Sequence, residues 1–226
     1  MFIAGMTLRT KAVLFDLDGT LFDRDTSFLE LVHVQYQAFH AALAGIPREV
    51  FVRRIIELDK HGYVDKALVY RDVASQFGLP QVLAEQLTAH FQGTYSSFSR
   101  CFAEVPSALA DLRVSGMKLG IITNGSTRMQ EEKIRQLGIA DVMDDVLISE
   151  REGIRKPDAR IFERALKRLG VKASAAWYVG DHPEVDIRGA FDAGLTAVWR
   201  RTSYWRPPDV PCHQIDAIDE LIQILL

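Results

Sequence analysis

The chain has 226 residues, 48% of them apolar and 25% charged, with a formal net charge of −3. That is the balance of a globular protein of one large or two small domains, and the slight acidity argues against nucleic-acid or anionic-membrane partners. The two cysteines, Cys101 and Cys212, lack metal-ligand spacing and fit reduced thiols in a cytoplasmic protein; Met1 to Lys11 holds no signal-peptide run, and no stretch reaches membrane-spanning length.

The first predicted element is the strand Ala12-Val13-Leu14-Phe15, short and wholly apolar as in a buried parallel sheet. It delivers Asp16 and Asp18, one residue apart, followed by Gly19-Thr20. In extended backbone the two carboxylates share a face, where they repel by about 4 kcal/mol at 4 Å and an effective dielectric of 20. A divalent cation would hold them together, although Asp-Gly is also ordinary turn chemistry. From Phe28 to Phe98, apolar residues recur at helical spacing in four segments broken at Gly45-Ile46-Pro47, His61-Gly62 and Gly78-Leu79-Pro80. No strand interrupts them, so this block reads as an all-helical insertion with its own core.

Beyond Val105 helices and strands alternate. A helix from Pro106 to Gly116 precedes the strand Lys118 to Ile122, which delivers Thr123-Asn124-Gly125. Ser126 or Thr127 caps the next helix, which ends at Leu137-Gly138. The strand Val146-Leu147-Ile148 leads into a loop, Ser149 to Pro157, that carries Lys156. Asp158 caps a helix with the apolar face Ile161, Phe162, Ala165, Leu166 and Leu169. The strand Ala175 to Val179 ends in Gly180-Asp181; a helix from Val185 to Ala193 and the strand Thr196 to Trp199 follow. A polar, Pro-rich loop and a helix near Ile218 to Leu225 close the chain.

Strands joined by helices give a parallel sheet whose C-terminal ends lie on one edge. Asp16, Asp18, Thr123, Asn124, Lys156, Asp181 and Asp186 therefore converge on one crevice. Taken singly each has a plainer reading: a strand-to-helix turn for Thr123-Asn124-Gly125, a surface lysine before a helix for Lys156, a loop acid and a helix-start acid for Asp181 and Asp186.

Together, Asp16-Leu17-Asp18-Gly19-Thr20, Thr123-Asn124, Lys156-Pro157 and Gly180-Asp181 with Asp186 stand in an order that resembles the haloacid-dehalogenase-like hydrolase superfamily, in its branch with a helical cap after the first strand. The resemblance implies a doubly wound, five-stranded, Rossmann-like α/β core of residues 1–22 and 100–226 with a helical cap of residues 23–99. It implies Asp16 as a nucleophile that forms an aspartyl-phosphate, and Asp18 as the acid and base. Mg²⁺ would be held by Asp16, Asp18 through its main-chain carbonyl, and Asp181. Thr123, Asn124 and Lys156 would bind phosphate, Lys156 also standing beside Asp16, with Asp186 behind them orienting Lys156 or a metal-bound water. The implied activity is a Mg²⁺-dependent phosphatase for a small phosphomonoester; a phosphosugar mutase and a non-catalytic relative are the alternatives. An acid at Asp18 suits an alkoxide leaving group and disfavours dehalogenation. His182 and Val185 depart from the common family pattern. The basic, aromatic loop Arg200 to Pro208 reads as tucked on its own domain or as a partner contact, and Arg53, Arg54 and His61-Gly62-Tyr63 as solvated or substrate-facing.

Overall fold

The computed structural model describes residues 10–225. The expectation of no signal peptide in Met1 to Lys11 therefore falls mostly outside the described residues, as do the outermost bounds of the expected core. The described residues form two compact units, one of residues 10–22 and 101–225, the other of residues 23–100. Among the described residues no helix is long and apolar enough to cross a membrane.

The first unit begins with β1 (Ala12–Phe15), all four residues buried. An all-apolar strand needs cover on both faces, which fixes it at the centre of a parallel sheet.

The helical unit contains α1 (Arg24–Ala38), α2 (Arg48–Asp59), α3 (Lys66–Gln76) and α4 (Gln81–Thr94). Asp23 and Asp65 cap α1 and α3 by accepting from Thr26 N and Ala67 N. Phe28, Phe91 and Tyr95 meet ring to ring in its core. The buried Gln35 is satisfied at both ends, donating to Leu87 O and accepting from the Tyr70 hydroxyl. Arg24 is buried in an ion pair with Asp59, which also pairs with Lys66 at 2.5 Å. Arg53 is exposed beside Glu57, Arg54 bonds to Gln76 and Glu57, and half-buried His61 meets Asp25 at 3.0 Å.

The first unit resumes with α5 (Val105–Val114), β2 (Lys118–Thr123), α6 (Thr127–Gln136), β3 (Asp145–Ile148) and α7 (Ala159–Leu169), then β4 (Ala176–Gly180), β5 (Thr196–Arg200) and β6 (His213–Ile215). The sheet is parallel, in the order β3-β2-β1-β4-β5-β6. Its α/β class is the expected one, but it has six strands among the described residues, not five. The sixth, β6, lies in the stretch expected to be a Pro-rich loop and pairs Val198 with His213. Three residues at a sheet edge, with only Ile215 buried, leave almost no periodic signal. Ser149–Glu152 is a short helix where a loop was expected, and the segment after Asp181 starts as a π-helical turn at Pro183–Arg188. The α7 face of Ile161, Phe162, Ala165, Leu166 and Leu169 joins Leu14 and Tyr178 in the core, as its spacing predicts.

Register levels the strand ends. Phe15 lies opposite both Ile121 and Val179. Asp16 therefore leaves the sheet one residue later, and Thr123 and Asp181 two residues past their partners. The chain turns to opposite sides of β1 for β2 and β4, the switch point where open α/β sheets leave a crevice.

Candidate active site

Asp16 extends the β1–β4 ladder by one bond, donating its main-chain N–H to Val179 O at 2.9 Å. The backbone then turns back: Leu21 and Phe22 donate to Leu17 O, and Gly19 donates to Phe22 O. Gly19 has φ +85°, and a Cβ there would lie 2.8 Å from Asp181 Oδ2. Only glycine lets this turn back against the Asp181 carboxylate.

Lys156 links three separate parts of the chain. Its buried ammonium donates to Asp16 Oδ1 and Asp186 Oδ1, each at 2.6 Å, and to the Tyr178 hydroxyl at 2.8 Å. The Tyr178 hydroxyl lies 3.0 Å from Asp186 Oδ1 and 3.2 Å from Ile122 O, and Asp186 Oδ2 accepts from His182 N at 3.1 Å. Asn124 fixes the Lys156 backbone through two bonds: its amide donates to Lys156 O at 3.1 Å and its carbonyl accepts from Lys156 N at 2.9 Å. The Lys156–Pro157 peptide is cis.

Asp181 follows β4. Its carbonyl accepts from the Trp199 indole at 2.7 Å, and its Oδ2 accepts from the Tyr204 hydroxyl at 3.3 Å. The loop Arg200 to Pro208 thus packs beside the site within its own unit: Arg200 also donates to Gly19 O, and Trp205 lies 4.4 Å from the His182 ring. His182 accepts through Nδ1 from Glu184 N and Val185 N and so caps the π-helical turn.

Asp18 has a different set of partners. Lys133 donates to its Oδ1 at 2.6 Å and Gln130 to its Oδ2 at 2.8 Å; the Gln130 amide also donates to Thr123 Oγ1 at 2.6 Å. The side chains of the two aspartates after β1 are therefore each paired with their own lysine.

Asp16, Asp181 and Asp186 present carboxylate oxygens within 4.8 Å of one another, all buried. One ammonium among three carboxylates leaves two negative charges over when all are ionised. The imbalance is visible in the acids. Burial, with Asp186 and Asp18 adding and Lys156 opposing, pushes Asp16 up to about 7. Burial, then Asp186 and Asp16, drives Asp181 well above the usual carboxylate range. Burial alone would lower Lys156, but Asp16 and Asp186 outweigh it and hold the ammonium charged. A hard divalent cation fits this all-oxygen donor set and its charge. The chain's own contacts to Asp186 engage both of its oxygens, so Asp16 and Asp181 are the side chains better placed to hold such an ion.

A family model described as a hydrolase, haloacid dehalogenase-like hydrolase, matches residues 10–194. The chain belongs to the haloacid dehalogenase-like hydrolases. A glyceraldehyde 3-phosphate phosphatase of Methanopyrus kandleri is 31% identical over 95% of this chain and 97% of its own. Two solved structures of this superfamily align over 96% of the chain and 98% of their own. One is a HAD phosphatase from Thermococcus onnurineus, 28% identical with a TM-score of 0.67; the other is a 2-haloacid dehalogenase from Pseudomonas syringae, 30% identical with a TM-score of 0.63.

Sequence reading missed Tyr178, Lys133, Gln130, Trp199 and Tyr204. Two of them carried a signal. Gln130 and Lys133 are three apart on α6, on the face that also buries Ile134, so two polar residues were pointing inward.

Proposed function

We propose that the protein is a Mg²⁺-dependent phosphatase of small phosphomonoesters. The observation that carries this is the Lys156 ammonium held at 2.6 Å from Asp16 inside a cluster of three buried carboxylates. Asp16 attacks phosphorus and forms an aspartyl-phosphate. Lys156 fixes the orientation of Asp16 and offsets charge on the transferring group. The Thr123 hydroxyl accepts from Gln130, which leaves its own proton to donate to a phosphate oxygen, and the Asn124 main-chain N–H donates to another. Asp18 gives its proton to the leaving oxygen and later takes one from water. Asp16, the Asp18 carbonyl and Asp181 hold Mg²⁺, which when bound neutralises phosphate charge; Asp186 orients Lys156.

The dehalogenase relative makes halide release the competing reading. A departing halide needs no proton, whereas an alkoxide does, and Asp18 supports the phosphate ester. The test is release of phosphate from a panel of phosphomonoesters with Mg²⁺, beside release of chloride from 2-chloropropionate. Phosphate release that is lost in Asp16→Asn supports the reading; chloride release without phosphate release overturns it.

A further inference from the structure

Asp18 is flanked by two donors, and the reaction scheme above uses neither of their bonds to its carboxylate. Lys133 is buried, its side chain 7% exposed, and its ammonium reaches Asp18 Oδ1 at 2.6 Å while lying 5.2 Å from the centre of the Phe22 ring. Gln130, one turn earlier on α6 and equally buried, donates to Asp18 Oδ2 at 2.8 Å and to Thr123 Oγ1 at 2.6 Å. Each carboxylate oxygen of Asp18 therefore has a donor fixed on the same helix face. A buried lysine is costly unless its charge is paired, and here its partner is a carboxylate that is itself a quarter exposed.

We propose that Lys133 and Gln130 are positioning residues for Asp18, and that they suit the site to phosphate esters of ordinary, weakly acidic alcohols. This rests on the phosphatase reading. In the first half-reaction the bond from Asp16 to phosphorus forms, the ester P–O bond breaks, and the proton on Asp18 passes to the leaving oxygen. Asp18 becomes a carboxylate, and the two donors already aimed at its oxygens stabilise that charge as it develops. In the second half-reaction water attacks the aspartyl-phosphate, gives a proton back to Asp18, and releases Asp16 and hydrogen phosphate. The proton lost in one step is regained in the other. Gln130 ties this carboxylate to Thr123, so one side chain sets the spacing between the proton donor and a phosphate contact. The benefit appears only where the leaving oxygen needs its proton.

The experiment compares 4-nitrophenyl phosphate, whose phenol leaves unaided, with 4-nitrobenzyl phosphate, an alcohol ester of nearly the same shape. It uses the full chain with Mg²⁺ and reads kcat/KM, which reports the steps up to P–O cleavage. Lys133→Met is expected to lose about 100-fold on the benzyl ester and less than about threefold on the nitrophenyl ester, the size of a displaced general acid. Lys133→Arg recovers most of the loss. Equal losses on both esters, or none, overturn the inference, since a merely structural lysine would not sort leaving groups. If Lys133→Met does not fold, Lys133→Gln carries the same comparison without touching the Gln130 bond to Thr123. Wild-type protein that cleaves only the nitrophenyl ester overturns the inference and leaves the phosphatase reading standing. Wild-type protein that cleaves neither ester overturns both.

Discussion

Lys156 and Asp16 stand 140 residues apart in the chain and 2.6 Å apart in space. The same ammonium holds Asp186 at the same distance, so one side chain ties the end of β1 to the turn after β4. Three expectations about stability and metal binding start from this knot and its surroundings, and a fourth from the backbone behind it.

Lys156→Met removes the only cation that contacts Asp16 and Asp186 in this cluster among the described residues. Two buried carboxylates then face each other without a counter-charge, which costs about 3–5 kcal/mol. Urea unfolding of the metal-free variant is expected to show a loss of that size, with saturating Mg²⁺ restoring part of it. A midpoint equal to wild type would contradict the charge accounting.

The metal-free protein is expected to lose stability as pH rises. The folded-state value of Asp16 is about 7, raised first by burial, whereas an unfolded aspartate titrates near 3.9. Between roughly pH 4 and 7 the folded state binds a proton that the unfolded chain has released. Stability therefore falls across that window by up to about 1.4 kcal/mol per pH unit from this group. Asp181, shifted in the same direction, extends the trend upward. Mg²⁺ binds the ionised form, so the gap between melting temperatures with Mg²⁺ and with EDTA should widen from pH 4.5 to 8. A gap independent of pH would mean no linkage, and one that narrowed as pH rose would have the wrong sign.

Trp199→Phe deletes the indole donor to Asp181 O, a 2.7 Å bond inside the core. The ring volume is partly kept, so the fold should survive, but Asp181 loses one of its anchors. Groups that hold a metal ligand in place are worth about 10-fold or more in affinity. Titration calorimetry should find Mg²⁺ binding weakened by about that factor.

Gly180→Ala tests the close approach between β4 and the following turn. A Cβ at Gly180 would sit 2.4 Å from the Asp186 Cβ and 2.6 Å from its Cγ. Asp186 must shift, and with it the Lys156 contact. We expect a loss of about 1–3 kcal/mol in stability and a fall in kcat larger than any change in KM. A variant as stable and active as wild type would show that Asp186 has room to move.

The local sequence determined much of this molecule. The buried β1, the apolar face of α7, the helical block after residue 23 and the acids at the strand ends all follow from short-range pattern, because burial on a strand or helix face repeats every two or about 3.6 residues. Tertiary structure decided what that pattern does not encode. The edge strand His213–Ile215 is defined by its pairing with β5 and by little in its own residues. Tyr178 and Trp199 look like ordinary strand residues until register brings them beside Lys156 and Asp181, and the inward-facing Gln130 and Lys133 find their partner Asp18 only in the fold. Only the folded sheet revealed that the two aspartates after β1 answer to different lysines. Pairings across 115 and 140 residues depend on strand order, which no local period records.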